Sequence, residues 1–392
     1  MANQLRILIA PDKFKGTLTA DQAAEAIAQG WQSVRPGDAL SALPISDGGD
    51  GFGELLGRHL RAEERTTATV DAAHEPIKAT WWWEPRRRIA LIESARVIGL
   101  ARLPKGKFHP FELDTLGLGR VIQDALAMRP RDVLIGIGGS ATNDAGFGLA
   151  TGLGWRFLDN QANPIESWPE LTRSHAAQPP SNASAALSNA SCITVAVDVK
   201  NPLLGGLGAS RVYGPQKGLR PEDFAPAEAA FRALVRATGQ GLSRFKAPHR
   251  IAGAGAAGGL GYGLTAFAGA RLRPGFQLFA REVGMRSQLE QSDLLITGEG
   301  ALDRTSVDMG KGVGELAWMA RNLGVPCLGL AGKCDFTTAP EGPFTRCWNL
   351  APSLAKPEEA MERPAHYLKL AAAQAAQWWN RHGTSSQPPS AR

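Results

Sequence analysis

Apolar positions near the start of the chain follow two rhythms. Arg6–Pro11 (RILIAP) is a short apolar run closed by a polar loop, the pattern of a strand buried on both faces. Thr19 followed by Gln22 is a capping box, and Ala23, Ile27, Trp31 and Val34 then recur at helical spacing. Ala39–Leu43 predicts a second strand, ended by Pro44 and the loop Ser46-Asp47-Gly48-Gly49-Asp50-Gly51, after which another helix is expected. Strands alternating with helices predict a parallel sheet covered by helices.

From Thr66 to about Gly99 the rhythm shortens. Thr67–Val70, Ile77–Trp83 and Ile89–Glu93 read as strands joined by turns, with Arg86-Arg87-Arg88 at a hairpin and Trp81-Trp82-Trp83 in packing roles. Arg131–Ile137 is again a buried strand. Gln161–Ser191, rich in Pro, Ser, Asn and Ala, predicts a long surface excursion. Cys192–Val199 reads as a strand, Pro221–Gly239 as a helix, and Ala252–Gly263 as a second glycine-rich stretch. Asp293–Thr297 and Cys327–Ala331 are buried strands flanking a helix over Gly312–Leu323. His382–Arg392 has the composition of a disordered tail. The ends of the chain are α/β and the middle is mixed. The expected arrangement is one discontinuous domain, 1–70 plus 275–380, with a domain inserted over 71–274.

Composition narrows the class. The 392 residues suffice for two domains, and 43% hydrophobic with 20% charged residues is globular. No apolar run reaches membrane-spanning length, and the first residues lead into a strand without a signal-peptide core, so a cytoplasmic protein without membrane association is expected. Cys192, Cys327, Cys334 and Cys347 form no C-x-x-C pair and have no neighbouring His, which predicts reduced thiols. The net charge is +6, but the basic residues are scattered, so no nucleic-acid partner is expected.

Four loops carry the candidate chemistry, each just after a predicted strand, where α/β sheets bind ligands. In the first, Asp12, Lys13 and Lys15 precede a helix N-terminus that suits an anionic substrate. In the second, Asp47 and Asp50 stand among Gly48, Gly49 and Gly51, where a ligand or Mg²⁺ can approach the backbone. The third runs from Gly136 to Gly146. Gly138 and Gly139 can turn backbone N–H groups toward phosphate, Ser140, Thr142 and Asn143 add donors, and Asp144 can hold a metal. This loop also matches G-x-G-x-x-A, with Asp159 about twenty residues on, which keeps a nicotinamide oxidoreductase as an alternative. In the fourth, Gly298, Glu299, Gly300 and Asp303 precede Gly310-Lys311, a combination suited to a Mg²⁺–phosphate site. Together the loops supply what phosphoryl transfer needs: carboxylates for Mg²⁺, lysines for phosphates, and backbone donors.

The same loops resemble the bacterial glycerate kinase family, of the type that includes the galactarate-pathway enzyme. The motifs are APDKFKGTLTA, SDGGDG, GIGGSATNDAG, DVKNPLLG with YGPQKG, GAGAAGGLG and TGEGALD, in family order over nearly the whole chain. The resemblance implies a flavodoxin-like three-layer α/β domain with a second, inserted α/β domain. It implies ATP-dependent phosphorylation of D-glycerate, with 2-phosphoglycerate as product. It extends the candidate residues to Asp198, Asn201, Pro202, Gln216, Lys217 and Gly218. On this reading Asp47 or Asp198 accepts the hydroxyl proton, and Lys15 and Lys217 neutralise carboxylate and phosphate charge. Asp144, Glu299 and Asp303 hold Mg²⁺. Asp12, Lys13, Gly48, Gly49 and Asn201 bind substrate, and Gly138, Gly139, Ser140, Asn143, Gly298, Gly300 and Lys311 bind ATP. The chain departs from the family at Lys13, where Ser is usual, at Ala301, where Arg is usual, and by one extra residue before Gly310. A non-catalytic sugar-acid sensor on the same scaffold is the second alternative. A monomer or homodimer is expected.

Overall fold

Arg6–Ile9 forms the buried strand that its composition predicts and pairs in parallel with Leu294–Leu302 on one side and Ala39–Ala42 on the other. Cys327–Cys334 and Arg346–Asn349 extend this sheet, also in parallel. Numbered along their own unit, the five strands lie in the order 2-1-3-4-5, which is the flavodoxin order. The computed structural model describes residues 4–181, 193–239, 245–303, 312–334 and 342–383. The chain divides into two compact units, Met1–Ser46 with Phe279–Arg392, and Asp47–Leu278.

In the first unit the helix Ala20–Gln32 begins at the Thr19–Gln22 capping box, as the sequence predicts. Its apolar stripe, Ala23, Ile27 and Trp31, packs in one core with Leu368, Ala372 and Ala375 of the helix Pro364–His382. That helix runs through His382, whose ring stacks on Trp378 at 5.0 Å. The expected tail therefore loses its first residue to a helix, and residues 384–392 lie outside the described ones.

The second unit holds a six-stranded mixed sheet. Its order is Arg271–Pro274, Ile193–Val197, Asp132–Gly136, Ile89–Glu93, Pro76–Glu84, Glu63–Val70. The first four strands run parallel, and the last two are added antiparallel. The three tryptophans alternate across this sheet. Trp81 and Trp83 join one core, while Trp82 lies against Gly53 and Gly57 of the helix Phe52–His59. Glu63–Val70 pairs along its whole length with Pro76–Glu84. The boundary expected at 70/71 therefore falls at 46/47, because a strand cannot leave the sheet that satisfies its backbone. The other expected boundary, 274/275, moves to 278/279, inside the helix Gly275–Glu282.

Two further expectations change. The excursion from Gln161 is anchored by Trp168, 2% exposed and packed on Phe231, and by the strand Ala176–Gln178. Residues 182–192 lie outside the described ones. Ala252–Gly263 enters the helix Ala256–Ala268, whose backbone is regular only from Leu260, after positive φ at Ala257, Gly258 and Gly259. Cys327, Cys334 and Cys347 are buried free thiols. Among the described residues no helix is long and apolar enough to cross a membrane.

Candidate active site

In the second unit, four of the motif stretches meet beyond the carboxyl ends of the parallel strands. The Gly138 N–H donates to the Gly48 carbonyl at 3.1 Å. A Cβ on Gly138 would lie 2.5 Å from Gly49 Cα, one on Gly48 2.7 Å from Ala196 Cβ, and one on Gly146 2.6 Å from Gly263 Cα. These glycines let the loops pack closely on one another, on the strand Ile193–Val197 and on the helix Ala256–Ala268, and Gly146, at φ 75°, also needs the left-handed region. Gly139 lies against the Asp50 carboxylate in the same way. Asp47 is half-buried, and its Oδ1 accepts from the Gly49 N–H at 3.0 Å.

The loop after Gly136 is held from within. The Ser140 and Thr142 hydroxyls lie 3.0 Å apart, and Asn143 Nδ2 donates to Ser210 Oγ at 3.0 Å. Asn143 Oδ1 is buried without a partner. Asp144, predicted as a Mg²⁺ ligand, is fully buried. Its Oδ2 accepts from Thr115 N–H at 3.0 Å, Thr115 Oγ1 at 2.7 Å and Gly148 N–H at 3.0 Å, and its Oδ1 from Gly146 N–H at 3.2 Å. Both oxygens are committed to protein donors, so Asp144 is an internal tie rather than an open ligand. Burial pushes its carboxyl up to about 6, with Asp114 adding to the rise against the Thr115 and Gly148 bonds.

Lys217, predicted to bind substrate, is 8% exposed, and its Nζ donates to the Thr142 carbonyl at 2.6 Å. Burial pushes its amine down to about 7, and the nearby Asp144 opposes that. Asp198 and Asn201 follow the strand Ile193–Val197 and are half-buried. Asn201 Oδ1 accepts from Tyr213 Oη at 2.6 Å. Sequence reasoning missed Glu93, whose carboxylate accepts from Gly51 and Gly53 N–H groups at 2.9 and 3.2 Å. Burial raises its pKa. It reads in sequence only as a strand end, and Thr115, Ser210 and Tyr213 likewise carry no local signal.

In the first unit the candidate residues gather at the carboxyl edge of the five-stranded sheet. The Asp12 N–H donates to the Gly298 carbonyl at 2.9 Å, and Asp12 Oδ1 accepts from Lys13 N–H at 2.7 Å. Phe14 and Leu18 close a tight turn that leaves Lys15 exposed at its tip. Gly300 lies against Phe14 and Lys15, and Gly298 against the Leu330 carbonyl, so both glycines allow close backbone approach. Glu299 and Asp303 are half-buried at the strand end. Lys311 lies outside the described residues. No group of three or more His, Cys, Asp or Glu among the described residues is arranged to hold a metal ion. Mg²⁺ in kinases is held by one or two carboxylates together with substrate phosphates, so it needs no such group.

The dinucleotide reading fails on topology. Arg156–Leu158, before Asp159, pairs antiparallel with Ala176–Gln178 in a separate two-stranded sheet, not beside Asp132–Gly136. A nicotinamide site needs that acidic residue at the end of a neighbouring parallel strand.

Two α/β units with lysines, carboxylates and glycine-bound loops at the carboxyl edges of parallel strands have the make-up of a small-molecule phosphotransferase. The model of the glycerate kinase family matches residues 7–380. A glycerate kinase of Halalkalibacterium halodurans is 35% identical over 377 residues, 93% of this chain and 96% of that one. The glycerate 2-kinase of Escherichia coli K12 is 33% identical over 338 residues, 84% of this chain and 85% of that one. A crystal structure from Salmonella typhimurium LT2, described as a glycerate kinase 2, aligns with a TM-score of 0.80 and 31% identity, covering 97% of this chain and 100% of that one. The chain belongs to the glycerate kinase family and is a phosphotransferase.

Proposed function

We propose that this enzyme transfers the γ-phosphoryl group of ATP to a hydroxyl of D-glycerate, giving 2-phosphoglycerate. The observation that carries the reading is the ordered motif set of a family member, found at the carboxyl ends of parallel strands in both units. The glycerate hydroxyl oxygen forms a bond to the γ-phosphorus as the bond to the β–γ bridging oxygen breaks. Asp47 or Asp198 accepts the hydroxyl proton. Lys13 and Lys15 offset the charge of the substrate carboxylate and phosphates, and Asn201 adds a polar contact to substrate. Glu299 or Asp303 would hold Mg²⁺ together with the substrate phosphates, and the ion would neutralise charge on them. Asp144 and Lys217 have no contact role here, because both are turned into the protein.

The test is Mg²⁺-dependent ADP release with D-glycerate and with glycerol, and ³¹P NMR of the product. Turnover of D-glycerate, little of glycerol, and phosphorus coupled to the C2 proton are expected. Equal turnover of both substrates would overturn the cationic carboxylate site, and coupling to C3 protons would overturn the 2-phospho product.

A further inference from the structure

The segment Ala209–Lys217, a short helix followed by a turn, contributes three side chains to the loops of the second unit. Ser210 Oγ accepts from Asn143 Nδ2 at 3.0 Å, Tyr213 Oη donates to Asn201 Oδ1 at 2.6 Å, and Lys217 Nζ donates to the Thr142 carbonyl at 2.6 Å. Ser210 and Tyr213 lie three residues apart in the helix and share a face, and Lys217 follows in the turn. The groups they hold lie on two loops that follow the adjacent parallel strands Asp132–Gly136 and Ile193–Val197. Ser210 is 1% exposed and Lys217 8%, and Thr142 and Asn143 are fully buried, so these contacts set the course of the loop rather than meet a diffusing ligand.

Each bond fixes a loop group to the segment. With Nδ2 fixed on Ser210, the Asn143 amide cannot rotate, and its Oδ1 stays a single oriented acceptor. At Asn201 the amide is held from both ends, with Oδ1 accepting from Tyr213 Oη and Nδ2 donating to the Leu207 carbonyl at 2.8 Å. A buried amine is costly in an apolar interior, and what Lys217 gains is the grip on a carbonyl between Ala141 and Asn143. Asp144 Oδ1 and Oδ2 hold the far end of the same loop, so it is tied on both sides.

We propose that Ser210, Tyr213 and Lys217 form a clamp that positions the two loops carrying Thr142, Asn143 and Asn201 for phosphoryl transfer without touching substrate. The clamp deepens the reaction proposed above and rests on it for its kinetic consequence. Misplacement of a reacting group by about 1 Å costs up to roughly a hundredfold in rate. Loss of the Ser210 or Lys217 tie should therefore lower kcat while leaving the KM values nearly unchanged, and loss of the Tyr213 tie, which holds a group that meets substrate, should also raise KM.

The test uses the full-length protein with Lys217→Met, Ser210→Ala and Tyr213→Phe, read by amide hydrogen exchange without ligands and by steady-state kinetics. Lys217→Met should speed exchange of the Thr142–Gly146 amides by about tenfold or more through local opening. Its melt should stay cooperative, because the cost of burying the amine is removed together with its bond to the Thr142 carbonyl. Its kcat should fall by about ten- to a hundredfold, with KM for glycerate changed less than about threefold. Ser210→Thr, which keeps the hydroxyl, should recover the rate lost in Ser210→Ala. Unchanged exchange, unchanged kcat, or a rise in KM of about tenfold at constant kcat would each overturn the clamp. If Lys217→Met does not fold, Ser210→Ala carries the same readings. A wild type inactive on glycerate would overturn the proposed reaction, while the exchange measurement would still decide whether the segment holds the loop.

Discussion

Asp144 accepts four protein hydrogen bonds, three of them on Oδ2. An Asn there can present one oxygen and must turn an amide N–H₂ toward donors on the other side. A buried donor left without an acceptor costs about 1–3 kcal/mol. Asp144→Asn should lower stability by about that amount in urea titration, with the Mg²⁺ concentration for half-maximal rate unchanged. A Mg²⁺ requirement that shifts strongly, with stability intact, would restore the metal role. Lys217 gives a pH signature. Its amine is depressed from 10.5 to about 7, so its favourable contribution to folding is present above the unfolded value and is lost as pH falls through 7. Asp144 runs the other way: its raised carboxyl favours folding at low pH, and that contribution is lost as pH rises through about 6. Between pH 7 and 10 only Lys217 of the two still titrates. Thermal melts should show wild type gaining on Lys217→Met as pH rises through that window, and a constant gap would contradict the burial of the amine.

At the scale of elements, the capping box at Thr19 and the strand Arg6–Ile9 were legible because their causes are local: a side chain reaching three residues on, and a run of apolar residues. The packing of one helix on another is not local. Gly30 reads as a weak spot in the helix Ala20–Gln32, since Ala is preferred there by about 1 kcal/mol. In the structure a Cβ at Gly30 would overlap the Lys369 carbonyl and lie 2.8 Å from Ala372 Cβ. Gly30→Ala should therefore destabilise by about 1–3 kcal/mol, against its helix propensity. Chemical denaturation measures this, and a gain in stability would mean that the two helices separate without cost.

At the scale of the molecule, each unit has its own hydrophobic core. Ile7, Trp31, Leu294 and Leu368 belong to one, and Ile92, Leu118, Ile135 and Val195 to another. The second unit is a single uninterrupted stretch of chain. A fragment over Asp47–Gly284, which keeps the helix Gly275–Glu282 whole, should fold alone with a cooperative melt and native-like near-ultraviolet circular dichroism. It should lack kinase activity, because the loops with Asp12, Lys15 and Glu299 are missing. A fragment without a cooperative transition would show that the second core depends on the rest of the chain. The boundary at 46/47 escaped the sequence because Phe52–His59, a helix after a strand, looks like a continuation of the first α/β pattern.

By itself the sequence determined the alternation of strands and helices, the helix start at Thr19, the order of the glycine-rich motifs and the resemblance that they carry. These follow from residue type and short-range spacing, which are written along the chain. Only the tertiary structure decided which motif residues face outward and which are ties. Thr115 and Asp144 are 29 positions apart, and Thr142 and Lys217 are 75 apart. No local pattern marks such pairs. Burial decides whether a carboxylate can meet a metal or a lysine a phosphate, and burial is set by segments that meet only when the sheet has formed.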